Sequence, residues 1–268
     1  MRIVCLSAES ADICARLGAW DEVVGVTAFA SQTGLARRPV VSGFSTADVA
    51  AVVAMQPDLV ITFCDVQADL AAQLIHAGCT VLATNQRSLA QIGQAIRLIG
   101  GAIGRASAAE VLASEFAAGL ETLRRDPAHR PRVYFEEWPE PLISGIGWVG
   151  ELIELCGGED IFASRRGGAS RERVVSAEEV IAADPGIILA SWCGKPVRVA
   201  EITRRPGWDT IAAVRTGQVH ALPSSDLLQP GPALLAGGLL IRGILRGGAC
   251  GAVNALPPRG MPANPQDG

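Results

Sequence analysis

Lysine is all but missing from this 268-residue chain: Lys195 stands alone against 22 arginines. Aromatic residues make up 4% and charged residues 19%, with one tyrosine and three histidines. A net charge of -4 spread over so few charges excludes an unfolded polyelectrolyte and a nucleic-acid clamp. No uninterrupted apolar run approaches the roughly 20 residues of a membrane span. The longest candidate, residues 227–241, contains Pro230 and Pro232. Seven cysteines are an odd number, scattered without a C-x-x-C pair, which argues against a disulfide framework or a zinc ribbon. Most of them read as small buried hydrophobes. There is also no G-x-x-x-x-G-K-[ST] phosphate loop, no G-x-S-x-G nucleophile elbow and no H-E-x-x-H. What the chain does have is apolar residues, 49% of the total, enough to fill a sizeable core in one large or two modest domains.

Periodicity orders that apolar content. Residues 3–6, 23–26, 59–63 and 80–83 read as short buried strands, and residues 11–17, 47–55, 68–76 and 89–103 carry apolar residues at helical spacing. This alternation predicts a parallel sheet covered by helices. A long Ala/Leu/Glu stretch then predicts one helix of five or six turns, with Ala109, Leu112, Phe116, Leu120 and Leu123 on one face. It stops at Asp126 to Pro131, where two prolines forbid continuation. A second alternating unit follows, with strands at 133–135, 187–191 and 218–222, helices at 150–155 and 177–183, and a last helix opened by Pro232. The expected fold is therefore α/β: two Rossmann-like lobes with parallel sheets, residues 1–104 and 128–247, joined by one long backbone helix at 105–127. Residues 248–268, rich in Pro and Gly, are expected to be a disordered tail. Any ligand belongs in the cleft between the lobes, where the carboxyl ends of the strands face one another.

Several segments in order resemble one family. These are I-V-C-L-S-A-E-S-A-D-I-C-A-R-L-G-A-W-D-E-V-V-G-V at 3–26, V-S-G-F-S-T-A-D-V-A-A-V-V-A-M-Q-P-D-L-V-I-T-F at 41–63, Y-F-E-E-W-P-E-P-L-I-S-G-I-G-W-V-G-E-L-I-E-L-C-G-G-E-D-I-F at 134–162, and the later A-S-W-C-G-K, R-P-G-W and L-L-Q-P-G-P-A-L-L. Together they resemble the cobalamin and iron-siderophore binding proteins of ABC importers, the class III solute receptors with a helical backbone, and within them a leaderless cobalamin-binding-like subgroup. The likeness covers residues 1–245. It implies a non-catalytic receptor that needs no cofactor, takes a corrinoid or a ferric chelate as ligand, and delivers it to an ABC permease. The subgroup often carries His-Glu-Cys after the second strand. Here Ala28, Phe29, Ala30 and Ser31 stand there, so no metal contact carries over to that loop.

Site residues follow from strand ends and from aromatic chemistry. Ser7, Phe63, Asp65 and Gln86 close strands or strand-end loops of the first lobe, and Ser225 and Gln229 follow the last strand of the second. Trp138, Trp148 and Trp192 offer flat faces for a large planar ligand. Glu136 and Glu137 point to opposite faces of their strand, so one of them is expected in the cleft, accepting hydrogen bonds or holding a metal; the alternative is a surface carboxylate. Cys193 is either a metal or redox site or a thiol that simply fits. Trp208 and Trp20 read as packing residues. Gly145, Gly147 and Gly150 match G-x-G-x-x-G, but Trp148 would crowd a phosphate and no ribose-binding acid follows at the right distance. The basic loop at 164–173 has two readings, an arm for ligand carboxylates or phosphates and a solvated surface.

Two further readings stay open on the sequence: a corrinoid- or metal-handling enzyme using Glu136, Glu137, Cys193 or His220, and a regulatory binding module. Met1 and Arg2 lead straight into apolar residues 3–6. The location expected from the chain as written is cytoplasmic, and periplasmic if a signal segment precedes it.

Overall fold

The computed structural model describes residues 1–33 and 37–247, so the expected tail at 248–268 lies outside the described residues. The first lobe runs β1 (Ile3–Cys5), α1 (Ala8–Arg16), β2 (Val23–Thr27), β3 (Val40–Ser42), α2 (Val49–Ala54), β4 (Leu59–Thr62), α3 (Ala68–His76), β5 (Val81–Ala83) and α4 (Leu89–Ala102). Its strands form one parallel sheet in the order β3-β2-β1-β4-β5. Helices on both faces bury β1 and β4 completely, which is why these strands are continuous apolar runs. Asp48 caps α2 and Ser88 caps α4, each side chain accepting a backbone N–H of the first turn.

The linking helix α5 (Ala106–Leu123) leads into β6 (Arg132–Pro139), β7 (Leu142–Ser144), α6 (Gly147–Leu155), β8 (Glu159–Asp160), α7 (Ala177–Ala183), β9 (Ile187–Ala190), α8 (Val199–Thr203), α9 (Ala212–Arg215), β10 (Val219–Ala221), α10 (Ser224–Leu227) and α11 (Leu234–Leu245). The sheet order is β10-β9-β6-β7, with β8 also pairing β6. All pairings are parallel except β6–β7, an antiparallel addition missed in the sequence because residues 142–144 are too short to show a period.

One apolar core passes through both lobes. It runs from Ile3 and Ile61 across Ile96 and Ile99 of α4 and Phe116 of α5 to Trp148 and Leu152 of α6 and Ile241 of α11. Gly100 of α4 allows the α4–α5 approach, since a Cβ there would lie 2.1 Å from that of Ala109. Two smaller clusters fill the outer faces, Val4, Leu6 and Leu74 in the first lobe and Tyr134, Trp192 and Trp208 in the second.

The lobes also meet directly at a seam behind the cleft. The Leu89 N–H donates to Glu151 at 2.7 Å, Gln86 Nε2 donates to the Pro230 carbonyl at 3.1 Å, and the Phe63 ring meets Trp148 edge-on at 6.2 Å. At its tightest point a Cβ on Gly147 would lie 2.1 Å from the Arg87 carbonyl oxygen. The three glycines of the G-x-G-x-x-G match are therefore packing positions. Gly145 lies under the Phe135 ring, Gly147 meets the other lobe, and Gly150 meets the Asp160 carboxylate.

Gly147→Ala must push backbone against backbone and is expected to lower stability by about 1–3 kcal/mol. Gly167→Ala, whose Cβ would meet nothing within 4 Å, should stay within about 0.5 kcal/mol of the parent in the same denaturant titration. Equal losses in the two would contradict the seam as a close-packed contact.

Candidate functional site

The loops at the carboxyl ends of the strands converge on a narrow cleft between the lobes, with an enclosed volume of about 40 Å³. Ser7 and Glu9 follow β1, Thr27 ends β2, Phe44 follows β3, and Phe63 and Cys64 follow β4. Cys193 and Gly194 after β9, with Ser224, Leu228 and Gln229 after β10, form the opposite wall.

Gln67 braces the first wall. Its Oε1 accepts the Phe63 N–H at 2.8 Å, and its Nε2 donates to the carbonyls of Leu6 at 2.9 Å and Phe44 at 2.8 Å. One buried amide thus ties together the loops after β1, β3 and β4. Thr27 Oγ1 adds a bond to the Gly43 carbonyl at 3.0 Å. Phe63 floors the cleft, while Phe29 and Phe44 meet edge-on at 6.2 Å at its mouth and Phe44 is 48% exposed.

Of the residues expected from the sequence, Ser7, Phe63, Cys193 and Gln229 line this cleft. Gln86 is in the seam, its Oε1 buried without a partner. Asp65 pairs with Arg87 beside the cleft; slight burial opposes ionisation, but the guanidinium outweighs it and holds the carboxyl below its ordinary value. Ser225 donates to Asp226 at 2.9 Å, and its neighbour Ser224 takes the place in the lining.

The remaining expected residues lie behind the second wall, bonded within their own lobe, with Trp148 also meeting Phe63 across the seam. Glu136 is fully buried, gripped by Arg205 at 2.5 and 2.9 Å and by Trp192 Nε1 at 3.1 Å. Glu137 is held by Arg173 at 2.6 and 3.0 Å. Trp192 is 2% exposed and Trp148 1%, the latter donating to the Leu227 carbonyl at 2.8 Å. Trp138 donates to the Glu140 carbonyl at 2.9 Å, and the Lys195 ammonium covers its face at 4.2 Å. Strand alternation correctly separated the two glutamates, but each found an arginine, a partner that no local spacing reveals. Trp148 and Trp192 spend their large apolar area on the core, while Trp138 stays half-buried beneath Lys195.

The basic loop is also committed internally. Arg165 pairs with Glu179, Arg166 with Glu154 at 2.8 Å, Arg171 with Glu172 at 3.8 Å and Arg173 with Glu137. Burial pushes the Cys193 thiol up to about 11, helped by the charge of Glu137, and also raises Cys64. Both are neutral thiols near pH 7, poor nucleophiles and poor metal ligands. Burial lowers His220, which contacts Gln218 at 3.2 Å away from the cleft. Among the described residues no three His, Cys, Asp or Glu side chains gather in a way that could hold a metal ion. No helix among them is long and apolar enough to cross a membrane.

Glu9, Gln67, Phe29 and Phe44 were not singled out in the sequence. Phe44, alone between Gly43 and Ser45 in a turn-forming stretch, was the visible signal. Glu9 falls where the first strand-end loop enters α1, and only the fold shows that the second lobe closes over it.

Residues 3–225 match the family model described as "Periplasmic binding protein". The chain is 26% identical over 250 residues to an uncharacterized ABC transporter substrate-binding lipoprotein, YvrC, of Bacillus subtilis, covering 88% of this chain and 77% of that one. It is 28% identical over 250 residues to a cobalamin-binding protein of Halobacterium salinarum, covering 87% of this chain and 66% of that one. The fold matches the apo periplasmic heme-binding protein RhuT from Roseiflexus with a TM-score of 0.75 at 25% identity, over 91% of this chain and 98% of the other. With a family model spanning most of its length and the two-lobed architecture joined by a long helix, this chain belongs to the periplasmic binding protein family.

Proposed function

We propose that this chain is a non-catalytic solute receptor that holds a corrinoid or a ferric chelate in the cleft between its lobes and presents it to an ABC permease. The observation that carries the reading is the cleft itself: a preformed concavity at the strand ends, with phenyl rings at floor and mouth and no reactive constellation. Relatives described as cobalamin-binding and heme-binding support a macrocyclic metal complex as the ligand class. Relatives described as periplasmic favour an extracytoplasmic location over the cytoplasmic one. In this reading residues 1–104 and 128–247 are the two lobes and 105–127 the rigid link.

The enzyme alternative loses its support because each of its groups is already occupied or neutral. Glu136 and Glu137 are neutralised by Arg205 and Arg173, and the Cys193 thiol stays protonated. Glu136 and Glu137 serve as a buttress behind the wall. Ser7, Phe63, Cys193, Ser224 and Gln229, with Phe44, are the proposed contacts.

Nanomolar affinity amounts to about 12 kcal/mol at standard state, within reach of stacked rings and several hydrogen bonds in a preformed cleft. Titration with cyanocobalamin, hydroxocobalamin, haem and ferric siderophores, followed by tryptophan quenching and calorimetry, should give saturable one-to-one binding for at least one of them. Silence from every probe at micromolar concentration would end the proposal. For the ligand that binds, Phe44→Ala should weaken affinity about five- to tenfold through loss of an aromatic face.

Arg205→Ala strands the buried Glu136 carboxylate. It should cost about 3–5 kcal/mol of stability in a denaturant titration, a loss expected for a broken buried ion pair. An unchanged midpoint would contradict the buttress role.

A further inference from the structure

Glu9 is the charged residue in the lining of the cleft. It sits in the first turn of α1, 5% exposed, lines the cleft, and its Oε1 has no hydrogen-bond partner. The second lobe closes over it at Gly231, where a Cβ would lie 2.9 Å from the Glu9 Cβ. An orphaned acceptor walled in this way carries a desolvation cost until a donor arrives.

The rest of the cleft decides what that donor is. Among the described residues its lining contains no arginine, lysine or histidine, so Glu9 is its one charged group. Of the cations near the lining in sequence, Arg2 donates to the Met55 carbonyl, Arg38 pairs with Asp21 at 3.3 Å, Arg87 with Asp65 and Arg16 with Asp12 at 2.8 Å, Lys195 lies over Trp138 and Trp192, and Arg37 is exposed. An anionic ligand would bring a second negative charge into a low-dielectric space that holds no counter-charge.

We infer that Glu9 makes the cleft a charge filter, admitting neutral or cationic ligands that present an N–H donor to its carboxylate and rejecting chelates that carry free carboxylates. The inference rests on the receptor reading and narrows it. A corrinoid rimmed with primary amides passes the filter, as does a cationic ferric hydroxamate; haem, with two propionates, does not.

The protonation state of Glu9 follows from the same surroundings. Burial lifts its carboxyl to about 7, the Ser7 hydroxyl and a backbone N–H pull it down, and Asp12 on the same helix adds a small upward push. From β1 the Cys5 thiol, from the loop after β4 Cys64, and from the opposite wall Cys193 are all held protonated, so none contributes charge near neutral pH. The cations on these elements, Arg16 and Lys195, are engaged with Asp12 and with the indoles of Trp138 and Trp192. An N–H donor favours the ionised form, so affinity is retained above pH 7 and lost as the pH falls through it.

The test uses the whole chain and two variants, Glu9→Gln and Glu9→Leu, with cyanocobalamin, ferrioxamine B and haem as probes at pH 6 and pH 8. The wild type should bind cyanocobalamin or ferrioxamine B up to about tenfold more tightly at pH 8 than at pH 6, and haem at least about tenfold more weakly than either. Glu9→Gln keeps the shape and should flatten the pH dependence and relax the discrimination against haem. Glu9→Leu, which removes the acceptor, should lose about tenfold or more for the accepted ligand.

A ligand-free measurement accompanies these. Because the folded value of Glu9 lies above its unfolded value of 4.5, its ionisation erodes stability as pH rises from 4.5 through 7. Glu9→Gln should therefore raise the melting temperature relative to wild type more at pH 8 than at pH 5. Haem binding as tightly as cyanocobalamin and ferrioxamine B, or a Glu9→Gln variant with unaltered pH dependence, overturns the filter and leaves the receptor reading standing. Failure of all three probes overturns both.

Discussion

The contact on which the rest depends is the approach of Gly147 to the Arg87 carbonyl, where two lobes built from separate sheets come within backbone distance. A residue with a side chain there would hold the lobes apart. Around this point the Leu89–Glu151 and Gln86–Pro230 hydrogen bonds and the Phe63–Trp148 edge contact close the seam, and the α4–α5 pair extends one apolar core behind it. Packed interiors resist continuous deformation, so a cleft whose back is sealed in this way is a fixed shape and not a pair of jaws on a flexible link. Ordering costs are met on folding, leaving more of the contact energy for the ligand.

Electrostatics divide the molecule into a neutralised scaffold and a charged cleft. In the second lobe, arginines hold the buried carboxylates: Arg205 with Glu136 and Arg173 with Glu137. Each carboxylate in these pairs faces its own guanidinium, so the pairs leave no unpaired charge behind the wall. Glu9 is the exception, a buried carboxyl with no cation beside it. Buried polar groups are normally satisfied, and Glu9 Oε1, one of several buried polar atoms without a partner, lies where a ligand would satisfy it.

Periodicity made the fold legible. The alternation of short apolar runs with amphipathic stretches predicted both parallel sheets, and the apolar face from Ala109 to Leu123 predicted the linking helix found at Ala106–Leu123. Helix starts drifted by up to three residues, as at α6, because caps and not apolar spacing set them. The lining of the cleft was legible only at strand ends, where Ser7, Phe63, Cys193 and Gln229 follow from topology. Trp148 and Trp192 misled because a Trp reads the same whether it stacks on a ligand or fills a core. Glu9 and Gln67 stayed hidden because their roles depend on elements far away in the chain: Gly231 for the one, and Leu6 and Phe44 for the other.

The most direct measurement is amide hydrogen exchange on the protein alone and saturated with the ligand that binds. The account predicts new protection confined to the strand-end loops around Ser7–Glu9, Phe44, Phe63–Gln67, Cys193–Gly194 and Ser224–Gln229, with the seam at Arg87–Leu89 and Gly147 equally slow in both states. Protection elsewhere, or a seam that exchanges rapidly until ligand is added, would contradict a preformed cleft between lobes held rigid from behind.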